Sequence, residues 1–305
     1  MLYYRWLRKW CFEGLVIYIG KVRYYEIKVY EVIIMTSEEF QRLCNLTNEY
    51  KTVEQKKRDI GGGLITCEEI DKFSELDSTE KVMISGLRQD TFEYFIRTQA
   101  YRFIVIMFWK NKLVEDWSLL STLKNTVFIG YFHNQRIDKM WDMTENTALE
   151  GLYISDFTRL HTLDGIEKAP KLERLSFGDA IWSTSVLKDL NPLENSRLKE
   201  FSFSGKSIEI EDISIYTKMS ELEVLDFRSN LYKTEQLAWI VAKLPNVKGY
   251  SLRPYIKFDR RESDMIKDIL ICGKRKPFLS SIEDVEKIKT YVDKFEKLVT
   301  QYRNE

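Results

Sequence analysis

The chain holds two histidines, His133 and His161, among 305 residues. Neither belongs to a metal-binding spacing such as His-x-x-x-His. His133 lies in Tyr131-Phe132-His133-Asn134, just past a predicted strand, and reads either as a ligand contact or as a satisfied structural histidine. Cys11, Cys44, Cys67 and Cys272 show no metal-ligand spacing and no paired pattern. No Gly-x-Ser-x-Gly elbow and no catalytic cysteine signature is present. The glycines 61–63 are followed by Leu64-Ile65-Thr66, so the lysine of an ATP-type phosphate loop is missing and a linker is the better reading. Acid pairs from distant positions stay open, because carboxylates are plentiful. The sequence therefore assigns no catalytic residue, no metal ligand and no cofactor.

Composition points the same way. Lysine plus arginine equals aspartate plus glutamate, 47 each, which gives no general argument for nucleic acid as a partner. The cysteine pattern suits a reducing compartment, so the cytoplasm is expected.

The positioning elements recur along the chain. Leu149-x-x-Leu152-x-Ile154, Leu172-x-x-Leu175-x-Phe177, Leu198-x-x-Phe201-x-Phe203, Leu222-x-x-Leu225-x-Phe227 and Val247-x-x-Tyr250-x-Leu252 begin 23, 26, 24 and 25 residues apart. A weaker copy, Leu123-x-x-Thr126-x-Phe128, comes earlier. The last two apolar positions of each copy are two apart and point to one side of a strand. A single copy cannot bury its apolar row alone; stacked copies bury a continuous ladder. Between them, Leu160-x-x-Leu163-x-x-Ile166 and Leu187-x-x-Leu190-x-x-Leu193 read as short return segments, and residues 233–243 as an α-helix.

Residues 149–252 resemble leucine-rich repeat proteins. Val186-Leu187-Lys188-Asp189-Leu190-Asn191-Pro192-Leu193 before Leu198 resembles the short bacterial internalin-like and phosphatase-regulator-like repeats, and Asn230 stands where that family has its turn asparagine. Phe157, Ala180 and Lys206 replace it elsewhere. The resemblance implies an α/β leucine-rich repeat solenoid: a curved parallel sheet with helical or 3₁₀ return segments, closed by a C-terminal capping helix. It also implies a protein partner bound on the concave face.

Four segments follow. Residues 1–35 are an N-terminal extension, 36–80 a helical region and linker, 81–279 the solenoid, and 280–305 the capping helix. The first segment is rich in aromatic and basic residues. It reads as an edge strand, as an extension ahead of a start at Met35, or as an amphipathic membrane-surface anchor. Thr36 with Glu39 forms a capping-box pattern, with Phe40, Leu43 and Leu46 on one face. Ser280 with Glu283 repeats that pattern ahead of Ile282, Val285, Ile288, Val292, Phe295, Val299 and Tyr302.

Strand alternation sends the intervening residues to the other sheet face, in rows such as Val127, Tyr153, Ser176, Ser202, Asp226 and Ser251. Aromatic and arginine residues are the usual anchors of protein interfaces. The expected partner contacts are Tyr153, Arg174, Asp226, Arg228 and Arg253, with Trp182 and Tyr232 on strand-exit loops. Two classes of function are open: a non-catalytic protein-binding module, or an effector or enzyme whose activity lies in residues 36–100 with the repeats as its targeting part.

Overall fold

The structure is a computed structural model and describes residues 35–45, 50–53, 64–77, 81–178, 186–259 and 267–305. The readings of residues 1–34, of glycines 61–63 and of Trp182 fall outside these residues.

The chain enters with helix α1 (Ser37–Cys44), whose N-cap Thr36 accepts the Glu39 amide at 3.1 Å. Strand β1 (Lys51–Val53) follows, then the short helix α2 (Cys67–Asp71), β2 (Lys81–Ser85), helix α3 (Gln89–Thr98), β3 (Val105–Trp109), β4 (Phe128–Asn134), β5 (Gly151–Phe157) and β6 (Arg174–Gly178). The two-residue β7 (Val186–Leu187) precedes β8 (Glu200–Phe203), and β9 (Ser207–Ile208) precedes β10 (Val224–Phe227). Strands β1 to β6, β8 and β10 pair side by side in chain order, all parallel, as one eight-stranded sheet. Strands β7 and β9 pair separately in the loops behind β6 and β8.

Register turns the repeat into a core. Ile106, Ile129, Leu152, Leu175, Phe201 and Leu225 are successive partners across the sheet, and all are buried. The next inward row stacks Phe108 on Tyr131 at 5.2 Å and Phe177 on Phe203 at 6.4 Å. Helix α3, helix α4 (Thr234–Lys243) and the 3₁₀ turns at Ser118–Thr122, Ile166–Lys168, Asn191–Leu193 and Ile213–Lys218 return the chain along the other side of this core.

The register moves two expected frames. Ile129, not Thr126, is the partner of Leu152, so the early copy reads Thr126-x-x-Ile129-x-Tyr131. Ile129, expected outward, is in the core, and Phe128 points outward. At the other end the last copy makes one bridge, Val224 to Lys248. Tyr250, expected inward, is 54% exposed, whereas Ser251 is buried and donates to the Phe227 carbonyl.

The corrected frame exposes the turn device. Asn111 and Asn134 occupy matching positions three residues past Phe108 and Tyr131, and both are fully buried. Asn111 accepts the Leu87 amide at 2.8 Å and donates to the Ile84 carbonyl at 3.0 Å. Asn134 donates to the Asn111 and Val114 carbonyls and accepts the Arg136 and Ile137 amides. Each side chain thus satisfies backbone groups that a buried turn would strand. Asn230, the expected member of this set, is exposed.

The solenoid limits differ from the sequence reading. Strand β1 belongs to the main sheet, so the repeat stack already includes part of residues 36–80. Before residue 279 the chain leaves the parallel pattern: β11 (Tyr255–Lys257), β12 (Ile269–Ile271) and β13 (Phe278–Leu279) form a small antiparallel sheet. Helix α5 (Val285–Asn304) then packs along α4, burying Phe295 and Val299. Ser280 accepts the Ile282 and Glu283 amides in the turn before it, and Ile282 and Val285, expected on the buried face, are exposed.

Candidate functional site

The outward face of the sheet is not uniformly open. Met35, Phe40 and Leu43, on and just before α1, bury themselves against Val105, Met107 and Phe128 of β3 and β4. Phe40 meets Phe128 edge-on at 6.0 Å. Gly151 on β5 makes room for it: a Cβ there would stand 3.0 Å from the Phe40 ring. Hydrogen bonds fix the seat. The Met35 amide donates to Glu150 at 3.1 Å, and Lys81 pairs with Glu39 at 2.6 Å. Gln41 donates to Glu200 on β8, and the Tyr50 hydroxyl donates to the Leu43 carbonyl.

This seat decides what happens to two of the expected contacts. Tyr153 packs at the edge of the α1 cluster, and burial pushes its phenol up. Arg174 is only 12% exposed; its guanidinium reaches Glu173 at 3.2 Å and Glu200 at 3.7 Å. Glu200 is almost fully buried under α1, and burial together with that carboxylate pushes the Cys44 thiol up. Tyr153 and Arg174 therefore hold the helix and its buried charge, and are not presented to a partner.

The other contacts gather at the far end. Asp226, half-buried on β10, accepts the Tyr250 amide and ties the 250–253 turn to the strand. Arg253 is exposed and holds its guanidinium 5.5 Å from the Tyr250 ring centre, within cation–π range. Arg228 leaves β10 at the mouth of a cavity of about 420 Å³. Opposite it stands the turn between β12 and β13, which is clipped down where Gly273 donates to the Ser229 carbonyl and Lys274 to the Tyr232 carbonyl, each at 2.7 Å. Nearby, burial pushes the Cys272 thiol up to about 11, with Arg253 pulling the other way.

Tyr232 does not belong to this surface. It is buried, its hydroxyl lies 2.7 Å from that of Tyr216, and its ring packs on Phe227. Its place directly after a strand exit suggested exposure, but Leu231 and Tyr232 turn inward as the first apolar residues of the return segment. The contributions of Gln41, Glu200, Arg275 and Lys276 were missed. Only the run Gly273-Lys274-Arg275-Lys276-Pro277 carried a signal, and it reads most simply as a solvated basic loop.

The strand exits explain His133. Gly86, Lys110, His133 and Asp156 occupy matching positions one residue past paired strand residues, and all four have positive φ, of 79°, 54°, 64° and 62°. His133 Nδ1 lies 2.7 Å from a carboxylate oxygen of the fully buried Asp156. The pair links two neighbouring exits in a costly backbone conformation, which makes it a structural contact. Among the described residues, no group of three or more His, Cys, Asp or Glu could hold a metal ion. Among the same residues, no helix is long and apolar enough to cross a membrane.

The fold is a leucine-rich repeat solenoid. In-register parallel strands and the asparagine turns decide this. No family model and no curated protein matches the chain. Among solved structures, an internalin (inlF) from Listeria monocytogenes is 18% identical, over 61% of this chain and 50% of that chain, with a TM-score of 0.40. Internalin C2 (inlC2) from the same organism is 14% identical over 61% of this chain and 73% of that one, with a TM-score of 0.39. The alignment thus spans half the length of the first internalin. The fold assignment rests on the strand register, not on these likenesses.

Proposed function

We propose that the chain is a non-catalytic protein-binding module. Its contact surface is the part of the outward sheet face that α1 leaves open, from β6 to the 250–253 turn. The observation that carries this reading is the contrast along one face. Val105, Met107 and Phe128 are sealed by the chain's own helix, while Ser176, Ser202 and Asp226 stay partly exposed beside Arg253 and the 54%-exposed Tyr250. An arginine held against an aromatic ring on a hydrogen-bonded turn suits an interface anchor, because little side-chain freedom is left to lose on binding.

The alternative, a separate activity in residues 36–100 carried by a targeting solenoid, has less support. Helix α1 is seated on the sheet and β1 is one of its strands, so these residues are parts of the stack. The same reading keeps the chain in the cytoplasm, on the scatter of Cys44, Cys67 and Cys272 over three separate parts of the fold.

The test is capture of partners by full-length protein and by Ser202→Trp, with thermal melting to show that the variant is folded. A specific partner held by the wild type and lost from a folded Ser202→Trp agrees with the reading. A partner held equally by both contradicts it.

A further inference from the structure

Arg228, Arg275 and Lys276 converge on the cavity at the end of the solenoid. Ser229 and Asn230 add polar groups to its wall, Leu270 of β12 adds apolar surface, and no carboxylate lines it. The turn is built to hold this arrangement. Gly273 at φ 128° and Arg275 at φ 56° bend it tightly, and its two amide bonds clip it to residues 229 and 232. Within the basic run the charges are divided. Lys274 turns away to pair with Glu211, which leaves Arg275 and Lys276 at the cavity. The Lys276 ammonium lies 5.2 Å from the Tyr291 ring, which steadies it without neutralising it.

We infer that this cavity binds a carboxylate-rich peptide segment, supplied by the partner protein. The inference rests on the proposed binding function and adds the chemistry of the partner. Three cations around a space of about 420 Å³ suit several carboxylates better than one small ion. Leu270 suits the methylene stem of a glutamate. Arg228 follows Asp226 by two residues, so a peptide crossing the open face reaches the cavity without leaving the surface.

The experiment measures fluorescence anisotropy of a labelled octaglutamate peptide with full-length protein at low ionic strength. The wild type should bind it, and Arg275→Gln/Lys276→Gln should weaken binding about tenfold or more with an unchanged melting temperature. Arg97→Gln/Arg136→Gln, on exposed arginines elsewhere, should leave it unchanged. No binding, or equal loss in both double variants, overturns the inference. Displacement by inorganic phosphate as effective as by unlabelled peptide also overturns it, because the site would then take a free oxyanion. Partner capture separates the two readings: loss from Ser202→Trp with full retention by Arg275→Gln/Lys276→Gln defeats the cavity and leaves the contact face standing.

Discussion

Gln41 on helix α1 hydrogen-bonds the carboxylate of Glu200 on β8, 159 residues further along the chain. Glu200 points outward from a sheet and would ordinarily face water. It is 2% exposed only because α1 lies over it. Arg174 supplies the opposing charge from the neighbouring strand. A helix that precedes the sheet thus determines which outward residues of the solenoid remain available.

The seat of α1 should be removable from either side. Phe40→Ala deletes a fully buried ring and should cost about 3–5 kcal/mol. Gly151→Leu places a side chain where Phe40 lies, with its Cβ alone 3.0 Å from that ring. Both should speed amide exchange in residues 37–44 well beyond that of β5 and β6. Uniform acceleration through the whole sheet would show that α1 has no separate seat.

The charge beneath the helix should behave as a pair. Arg174→Met strands the Glu200 carboxylate and should destabilise by roughly 3 kcal/mol, less where residual water reaches it. Arg174→Met/Glu200→Met should recover most of that loss. Denaturant melts of the two variants and the wild type check this, and additive losses would contradict it.

Tyr216 and Tyr232 share one buried hydrogen bond of 2.7 Å. Tyr216→Phe should cost about 1–3 kcal/mol by leaving the Tyr232 hydroxyl unpaired, and the double Phe variant little more. Burial raises both phenols above the ordinary value. A raised folded value means that their contribution is complete below the unfolded value of about 10 and is lost as pH rises through the folded one. Melting temperature should therefore fall above about pH 10, and less in the double variant.

The inward and outward positions of β10 should separate sharply. Leu225→Asp puts a charge into the ladder and should cost several kcal/mol, roughly 4 or more. Asp226→Leu loses only the bond to the Tyr250 amide, about 1 kcal/mol. Equal losses in thermal melts would mean that the inward face is misassigned.

Most of the repeat stack was legible because a buried parallel ladder demands large apolar residues at fixed offsets. The frame failed where that demand relaxes. At Thr126 a polar residue takes the first position because its hydroxyl bonds the Phe103 carbonyl. The outward Phe128 then looked like a core residue, since α1 makes that part of the outer face apolar too. At Tyr250 the ladder has only one bridge left, and alternation no longer governs. The binding face was legible as a face but not in extent. Covering by α1 is a contact between distant segments, and nothing local in Phe40 or Glu200 announces it. Arg275 and Lys276 were hidden for the same reason, because a basic turn gains meaning only from the loop it is clipped against.

The central claim is that partners meet the open end of the outward face. A photo-crosslinking residue placed at Ser202 and, separately, at Lys139 on the return side tests it most directly in the presence of a captured partner. The account predicts adducts from position 202 and none from position 139. Adducts from 139 alone would contradict it.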